Sequence, residues 1–299
     1  MLKTLAKIAV GLLALVLLAG VGLFLKAALG LSKIRDIAAP SIAVRTDSLT
    51  VERGRHLASA IMKCVECHGR DLGGTKPFAD AGPLGYINGS NLTTGEGGVI
   101  GSYDDATIAR AVRHGIKADG SPILLMPVSE YVTVSNADLA AVIAYVRSVA
   151  PVNRGIPPSK IKPMGRLLYA LGQFPVVEAD FADHGAEPAP DREPVSTVEY
   201  GKYLATIGGC FGCHGPGLSG GKIPGAPPDW KPATNITPEG LKGWTEADFV
   251  TALRTGIRPN RTPIDTLMPW RLAGQMDSIE MGATWRFLQS VPPKPYGSR

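Results

Sequence analysis

The sequence lacks the local fingerprints of several large enzyme classes. It has no G-x-S-x-G nucleophile elbow, no P-loop and no dinucleotide-binding glycine pattern with a following acidic residue. It also has no run of Lys and Arg interleaved with aromatic residues, and its formal net charge is only +5, from 31 basic and 26 acidic residues. These absences leave a hydrolytic, nucleotide-dependent or nucleic-acid-binding function without support.

Cysteine is scarce, and all four cysteines belong to two copies of one motif. The copies are Cys64-Val65-Glu66-Cys67-His68 and Cys210-Phe211-Gly212-Cys213-His214. The C-x-x-C-H spacing is an attachment site for c-type haem. Each thiol adds to one vinyl group of the porphyrin, and the adjoining His meets the iron from the proximal side. The sequence therefore predicts two covalently attached haem c groups, held by Cys64, Cys67, His68, Cys210, Cys213 and His214.

Two other uses of paired cysteines account for less of the pattern. Four cysteines outside the cytosol usually form two disulfides, but here each pair is only three residues apart and is followed directly by His. A CxxC pair is half of a zinc site, but neither a second CxxC at zinc-binding spacing nor an H-x₃₋₅-H pair is present. Haem attachment explains the four cysteines and both histidines together.

The two motifs lie within a longer internal repeat, in which matched segments are 141 to 147 residues apart. A tandem duplication of one fold explains this register, with small insertions in loops. Besides the haem motifs, the matched segments include Val51–Ala58 with Val198–Ala205, Asn91–Thr93 with Asn235–Thr237, Ala111–Ile116 with Ala252–Ile257, and Met126-Pro127 with Met268-Pro269.

Each copy is predicted to be mostly helical. One helix leads into the haem motif, a second is capped by Asp104 or Asp105 in the first copy and by Thr245 in the second, and the last begins at Asn136 or Asp138. The residues of this last helix follow the 3.6-residue hydrophobic period. The glycine- and proline-rich segments 69–101 and 215–243 are expected to form irregular loops without strands.

The seven methionines supply the second axial ligand in this interpretation. An electron carrier closes the sixth iron position, commonly with Met, and a Met/His pair raises the reduction potential. Met126 and Met268 both precede Pro at equivalent points of the repeat. A methionine more often fills a gap in the core, but this duplication favours ligation. His114 is the alternative ligand in the first copy, although Thr255 replaces it in the second.

The amino terminus is predicted to be a membrane anchor. Ile8 to Leu25 is uncharged over 18 residues, the threshold for a spanning helix. A cleaved signal peptide is the competing interpretation, but its apolar region is normally about 7–15 residues, and no A-x-A site follows Lys26. Lys3 and Lys7 would stay cytoplasmic. The prediction is a single-pass protein of the bacterial inner membrane with its haem domains in the periplasm.

These features divide the chain into five predicted segments: an anchor at 1–30, a tether at 31–48, a first cytochrome c domain at 49–150, a proline-rich linker at 151–194 and a second domain at 195–299. The eight prolines of the linker are expected to stiffen it. One short helix is expected there between Met164 and Phe174, and His184 is expected to face solvent.

The order of these motifs resembles the cytochrome c subunits of membrane-bound bacterial dehydrogenases, such as gluconate and alcohol dehydrogenases. The match spans about residues 50–295 and is best in the second copy, at Leu218-Ser219-Gly220, Asn235–Pro238, Gly243–Phe249 and Ala252–Ile257. The resemblance implies class I cytochrome c domains, with His68, Met126, His214 and Met268 as iron ligands. Those subunits typically carry three haems and attach to the membrane through the carboxyl terminus, and this sequence differs in both respects.

The predicted architecture is therefore all-α, with two tandem class I cytochrome c domains after an amino-terminal transmembrane helix. The predicted function is a membrane-anchored dihaem cytochrome c that passes single electrons from a periplasmic donor to a respiratory acceptor, with a dehydrogenase, a terminal oxidase or both as partners. No catalysis of its own is expected. A dihaem peroxidase is the alternative, but it needs an open or displaceable sixth position. A haem-based sensor or scaffold would not need two equivalent closed sites.

Overall fold

The computed structural model describes residues 2–226 and 229–298, and it is mostly helical. The α-helices of these residues are α1 Leu2–Ser32, α2 Ser48–His56, α3 Cys64–His68, α4 Asp105–His114, α5 Val128–Tyr131, α6 Asn136–Ser148, α7 Pro163–Ala170, α8 Val198–Ile207, α9 Cys210–His214, α10 Glu246–Thr255, α11 Trp270–Ala273 and α12 Ser278–Ser290. A π-helical turn spans Leu57–Ile61, and short 3₁₀ turns span Ile100–Ser102 and Glu178–Asp180. The strands are β1 Thr75–Asp80, β2 Gly85–Gly89 and β3 Lys160–Ile161.

The helix starts follow from side chains that satisfy otherwise unpaired backbone N–H groups. Asp104 caps α4 and Thr245 caps α10, each by accepting from the backbone N–H three residues on. The last helix of the first copy begins at Asn136, one of the two predicted starts, and its cap is Ser135. Its counterpart in the second half is Asp277, which forms a reciprocal capping box with Glu280.

The same helix crossing occurs in both halves. Helix α2 packs on α6 at Gly54, where an added Cβ would lie 1.8 Å from the carbonyl oxygen of Ala141. Helix α8 packs on α12 at Gly201, where an added Cβ would lie 1.9 Å from the carbonyl oxygen of Ala283. Only glycine lets the two backbones approach this closely, so the spacing of each helix pair depends on one residue.

The expectation that segment 69–101 contains no strand is wrong. Strands β1 and β2 form an antiparallel pair within it, and β3 adds to the other edge of β2. The turn after β1 is closed by Asp80, whose carboxylate accepts from the backbone N–H of Gly82. Strand β3 comes from residues 160–161, which are far from this loop in the sequence. Local sequence patterns therefore do not predict that β3 completes the sheet. In the described residues of segment 215–243 no strand forms.

The proline-rich span 151–194 packs against the first half instead of standing apart from it. It contributes β3, α7 and four buried apolar residues to a small cluster around Ile87, namely Ile161, Val176, Val177 and Ala179. The short helix predicted between Met164 and Phe174 is present as α7. The boundaries predicted for the two domains stay a prediction.

A larger apolar cluster is shared by the two halves. It includes Leu57, Ile61 and Leu139 from the first half and Leu204, Ile207 and Leu288 from the second. Its continuity means that the halves bury apolar surface against each other, which is the main favourable term in association.

Helix α1 is long and apolar enough to cross a membrane, and no other helix of the described residues meets that test. Its apolar side chains, such as Leu12, Leu15 and Leu18, are mostly exposed. Near its carboxyl end the surroundings change, because Ala27 is fully buried and the Lys26 ammonium donates to the carbonyl oxygen of Ala170 at 2.7 Å. The end of α1 is therefore packed on α7.

Replacing Gly54 with Ala tests the close helix crossing. In an ordinary helix this change is stabilising, but here the added methyl group overlaps the Ala141 carbonyl, and overpacking of this kind costs about 1–3 kcal/mol. We expect Gly54→Ala and Gly201→Ala each to lower the free energy of unfolding in guanidinium titrations followed by circular dichroism. Gly155→Ala is the control, since its Cβ would meet no atom within 4 Å. Equal stability of all three variants would contradict the crossing.

Candidate haem sites

Each C-x-x-C-H motif forms one short helix that starts from a left-handed residue. Lys63 precedes α3 with φ of 54°, and Gly209 precedes α9 with φ of 74°. The two cysteines of a motif are three residues apart and so share one helix face. None of the four cysteines, all within the described residues, is in a disulfide. Burial raises the pKa of the Cys64 thiol to about 11.

Both motif histidines are oriented by a backbone carbonyl. The His68 Nδ1 lies 2.8 Å from the Ser90 carbonyl oxygen, and the His214 Nδ1 lies 2.7 Å from the Thr234 carbonyl oxygen. A carbonyl only accepts, so each Nδ1 carries the hydrogen and each Nε2 keeps a lone pair. Burial also lowers the pKa of His68, which favours the neutral ring. This is the arrangement of a metal-ligating histidine.

The loop that carries each carbonyl is fixed by an Asn and a Thr. In the first half the Asn91 side-chain oxygen accepts from the Thr93 backbone N–H at 2.9 Å, and its amide donates to the Val152 carbonyl at 2.7 Å. In the second half Asn235 makes the same bonds to Thr237 and to the carbonyl of Lys294. The Asn side chains therefore tie each loop to the chain that follows the last helix of its half.

The two Met-Pro pairs adopt one backbone conformation. Pro127 has φ of −77° and ψ of 66°, and Pro269 has φ of −76° and ψ of 52°. The Met126 carbonyl accepts from the Val128 N–H at 2.8 Å, and the Met268 carbonyl accepts from the Trp270 N–H at 2.7 Å. These are inverse γ-turns centred on Pro. Each holds its Met on a sharply defined loop just before α5 or α11.

The methionines separate into two groups by their surroundings. Met126 and Met268 are half-buried and pack on the shared apolar cluster, as do Cys64 and Cys210. Met62, Met276 and Met281 are buried in the core, and Met164 is exposed. Among the methionines that the structure describes, only the two that precede proline thus share the setting of the haem-motif cysteines. Their ligation of iron stays a prediction.

His114, the alternative ligand of the first half, is engaged elsewhere. Its Nδ1 lies 3.1 Å from the Nδ1 of His184, whose Nε2 lies 2.8 Å from the Ala179 carbonyl oxygen. The expectation that His184 faces solvent is therefore wrong, because the linker folds back over the end of α4. Burial lowers the pKa of His114 to about 4, with further contributions from the positive charges of His184, Arg113 and Arg110.

The two sites are brought together by reciprocal packing of the halves. Helix α5 follows the first Met-Pro turn, and its Glu130 lies against the second haem motif, where a Cβ added to Gly212 would be 2.8 Å from the Glu130 Oε1. In the other direction, a cleft of about 150 Å³ is lined by Val65 and Glu66 of the first haem motif and by Met268 and Pro269 of the second Met-Pro turn. The chain at each Met-Pro turn thus lies next to the haem motif of the other half.

Residues of this junction carry charges beside the second motif. The Lys63 ammonium donates to the Gly208 carbonyl oxygen at 2.5 Å. Burial raises the pKa of Glu130 to about 7, a change that the positive charge of Lys63 partly offsets and the negative charge of Glu178 increases. No sequence signal distinguishes Lys63 or Glu130, because neither has a chemically similar residue at its position in the repeat.

A polar network joins the halves on the side of α2, α6, α8 and α12. The fully buried Glu280 carboxylate accepts from the Arg53 Nη1 at 3.0 Å and lies 2.6 Å from the His56 Nε2. Arg53 also donates to Asp138 and to the Tyr200 hydroxyl, and the Tyr203 hydroxyl donates to Asp138 at 2.8 Å. Tyr200 and Tyr203 therefore make contacts between the two halves.

Comparison with known proteins agrees with the geometry. Residues 50–146 match the family model of cytochrome C oxidase, cbb3-type, subunit III. Residues 50–146 are a cytochrome c domain. Haem c, attached covalently, is the cofactor that such a domain implies, and the C-x-x-C-H helix with an oriented His68 is the part of the structure that fits it.

The c-type cytochrome resembles dehydrogenase subunits over most of its length. It is 32% identical to the gluconate 2-dehydrogenase cytochrome c subunit of Pantoea cypripedii over 233 residues, 69% of this chain and 51% of that protein. It is 30% identical to the alcohol dehydrogenase (quinone) cytochrome c subunit of Gluconacetobacter polyoxogenes over 280 residues, 83% of this chain and 57% of that protein. It is 27% identical to the fructose dehydrogenase cytochrome subunit of Gluconobacter japonicus over 270 residues, 82% and 53%.

The cytochrome spans about half the length of these three curated relatives. Their shared description as cytochrome subunits confirms the predicted resemblance. The number of haems, the electron donor and the electron acceptor are matters for the proposal below.

Replacing Glu280 with Gln tests the buried network between the halves. Burial by itself raises the pKa of Glu280. The hydrogen bond to His56 and the electrostatic attraction of His56 and Arg53 lower it by more, so the pKa lies below the usual range. The carboxylate is therefore ionised in the folded protein, and its removal leaves Arg53 and His56 short of an acceptor. We expect Glu280→Gln to lower the free energy of unfolding by about 1.5–3 kcal/mol. Glu52→Gln, in the exposed pair with Arg55, is the control and should change little.

Acid sensitivity of the cytochrome tests the His114–His184 contact. His114 has a folded pKa of about 4 against 6.5 for an ordinary His. As the pH falls through this range, the unfolded chain binds a proton at residue 114 and the folded chain does not. The free energy of unfolding therefore decreases by up to about 1.4 kcal/mol per pH unit for this one group. We expect His114→Gln to flatten the difference in unfolding free energy between about pH 6.5 and 4.

The matched variant is His184→Gln, which keeps the buried His114. Because burial is the largest cause of the lowered pKa, this variant should retain most of the pH dependence. A His114→Gln profile parallel to that of the unchanged protein would show that His114 does not titrate in this range.

Proposed function

We propose that this chain is a membrane-anchored dihaem cytochrome c that passes single electrons from a periplasmic donor to a respiratory acceptor. In this proposal residues 49–150 and 195–299 are tandem class I cytochrome c domains. Cys64, Cys67, Cys210 and Cys213 attach the two haems, and His68, Met126, His214 and Met268 are the axial ligands. The haems supply a one-electron couple at each site, and a Met/His ligand pair favours a relatively high potential.

One observation carries the proposal, namely that the same site geometry occurs twice. Both motif histidines donate from Nδ1 to a loop carbonyl, and both Met residues precede a proline-centred γ-turn. A peroxidase would need one haem whose sixth position opens, and the equivalence of the two Met-Pro turns gives neither site that difference. Two closed sites of one kind suit electron transfer.

The residues of the chain have three tasks in this function. His68 and His214 are held in one orientation by their carbonyl partners, so little reorganisation is needed on a change of charge. The Met-Pro turns place a thioether as a soft ligand. Trp270, two residues after Met268, is half-buried, and its buried Nε1–H meets no acceptor among the described residues. A porphyrin carboxylate is the kind of group that would satisfy it.

The contacts between halves support electron exchange within one chain. Glu130 of the first half lies on the second haem motif, and Val65 of the first motif shares a cleft with Met268 of the second half. The buried Arg53–Glu280 contact and the common apolar cluster keep the halves in one orientation. We propose that electrons enter at one haem, cross this junction and leave from the other.

Helix α1 supports anchoring in the inner membrane with the haem domains in the periplasm. Its carboxyl end is packed against the folded chain through Lys26, Ala27 and the Arg35–Asp180 ion pair. A cleaved signal peptide would remove part of this packing, so the contacts favour retention of the helix. The relatives described as dehydrogenase subunits suggest a membrane-bound dehydrogenase as electron donor. We propose a respiratory acceptor downstream, a terminal oxidase among the candidates.

Potentiometric titration of the purified chain tests the dihaem assignment. We expect two covalent haems per chain by pyridine haemochrome assay and two low-spin components in visible spectra. Met268→Ala should convert one component to a high-spin spectrum and lower its potential, because a thioether that stabilises the reduced iron is lost. Met126→Ala should do the same to the other component.

Met276→Ala is the matched control, since Met276 is also in the second half but is buried in the core without a counterpart in the repeat. It should cost stability and leave both low-spin components in place. One haem per chain, or two low-spin components in Met268→Ala, would overturn the assignment at the second site.

A further inference from the structure

Helix α7 has an apolar face that is turned outward. Met164, Leu167 and Leu171 are spaced three and four residues apart, which places them along one side of α7 and its first following residue. Their exposed fractions are 50%, 38% and 50%. The opposite side is packed, because a Cβ added to Gly165 would lie 2.1 Å from the Leu84 carbonyl oxygen and Ala170 is buried.

This face lies beside the end of the predicted membrane span. The Arg166 guanidinium is 5.8 Å from the centre of the Phe24 ring, Lys26 donates to the Ala170 carbonyl, and Gly30 faces Tyr169. The uncharged run from Ile8 to Leu25 is about 27 Å long as a helix, close to the thickness of a bilayer's hydrocarbon core of about 30 Å. Residues 24–30 then emerge at the headgroup layer, and α7 lies at that level.

The packing of α7 on α1 is held by several polar contacts. The Arg35 guanidinium donates to the Asp180 carboxylate at 2.5 Å, and the Tyr169 hydroxyl donates to the other oxygen of Asp180 at 3.0 Å. The Arg35 backbone N–H also donates to the Gly120 carbonyl at 2.9 Å. Helix α7 is therefore fixed to both α1 and the first half.

The charges around this face match a lipid surface. Helix α7 has no acidic residue, and its one charged residue is Arg166. Lys26, Lys33 and Lys160 are exposed on the neighbouring segments. An apolar face flanked by basic side chains is the pattern of a helix that lies in the membrane interface.

We propose that α7 is a membrane-docking element, whose Met164, Leu167 and Leu171 side chains insert at the boundary between headgroups and acyl chains beside α1. The inference rests on the proposed anchoring of α1. The docked helix holds the first half at one angle to the bilayer, because α7 is tied to the sheet through Gly165 and to α1 through Lys26. Such a fixed angle presents the same haem site to a membrane-bound partner in every chain.

Single-cysteine labelling of the full chain tests the docking. The four native cysteines are held in haem thioethers under the proposed function, and the unchanged protein gives the background labelling. Leu167→Cys carries an environment-sensitive fluorophore in phosphatidylcholine nanodiscs that contain phosphatidylglycerol, with one chain per disc. Ile279→Cys is the matched control, an apolar residue of the second half that is 40% exposed.

We expect the label at residue 167 to be quenched by doxyl groups near the top of the acyl chains and to show at least about threefold weaker quenching by aqueous iodide than the control. Labels at residues 164 and 171 should behave in the same way. Iodide quenching equal to that of the control would overturn the proposal. Protection that appears only in discs with two chains would also overturn it, because a second copy would then be the occupant.

A label at Leu17→Cys separates the docking from the anchoring on which it rests. Quenching of this label by doxyl groups deep in the bilayer, together with an unprotected residue 167, overturns the docking and leaves the anchor intact. A Leu17 label without deep quenching overturns both. Visible spectra of each labelled variant confirm that the haem domains are folded.

Discussion

The hydrogen bond that each motif histidine donates from Nδ1 is the contact on which the rest of each site depends. It selects the ring tautomer and turns Nε2 away from the loop. The accepting carbonyl has a fixed position because Asn91 or Asn235 ties its loop to the chain after the last helix. That helix is in turn held close to the helix before the motif by a glycine crossing. The orientation of each imidazole thus depends on three parts of its half: the loop that carries the carbonyl, the chain after the last helix, and the helix pair that crosses at glycine.

The two copies of the repeat are alike at the candidate haem sites and differ at the interface between the halves. The motif histidines of the two sites have equivalent hydrogen bonds, so we expect the same chemistry at both sites. The interface places unlike residues at repeat-related positions, with Arg53 and His56 where the second half has Tyr200 and Tyr203. The two side chains that hydrogen-bond to the buried Glu280 carboxylate, the Arg53 guanidinium and the His56 ring, both come from the first half. The divergence of Arg53 and His56 from Tyr200 and Tyr203 makes the two halves complementary at this point.

The span between the halves connects three parts of the molecule. It completes the sheet through β3, covers the end of α4 through His184, and meets α1 through α7 and Asp180. A helix that crosses a membrane is free to rotate and tilt relative to a domain joined by a loose tether. Under the proposed anchoring of α1, its packing against α7 removes that freedom and sets the angle of the first half to the bilayer.

The sequence by itself determined the chemistry and the duplication, because both are written in short local patterns. C-x-x-C-H predicts a haem attachment site, and the register of the repeat selected Met126 and Met268 from seven methionines as predicted ligands. Cap residues and hydrophobic periods placed the helices within one or two residues. Tertiary structure alone decided which carbonyl orients each histidine, the pairing of β3 with β2, the contact of His184 with His114, and the burial of Glu280. Each of these contacts joins residues that are far apart in the chain, so the structural preferences of short segments cannot predict it.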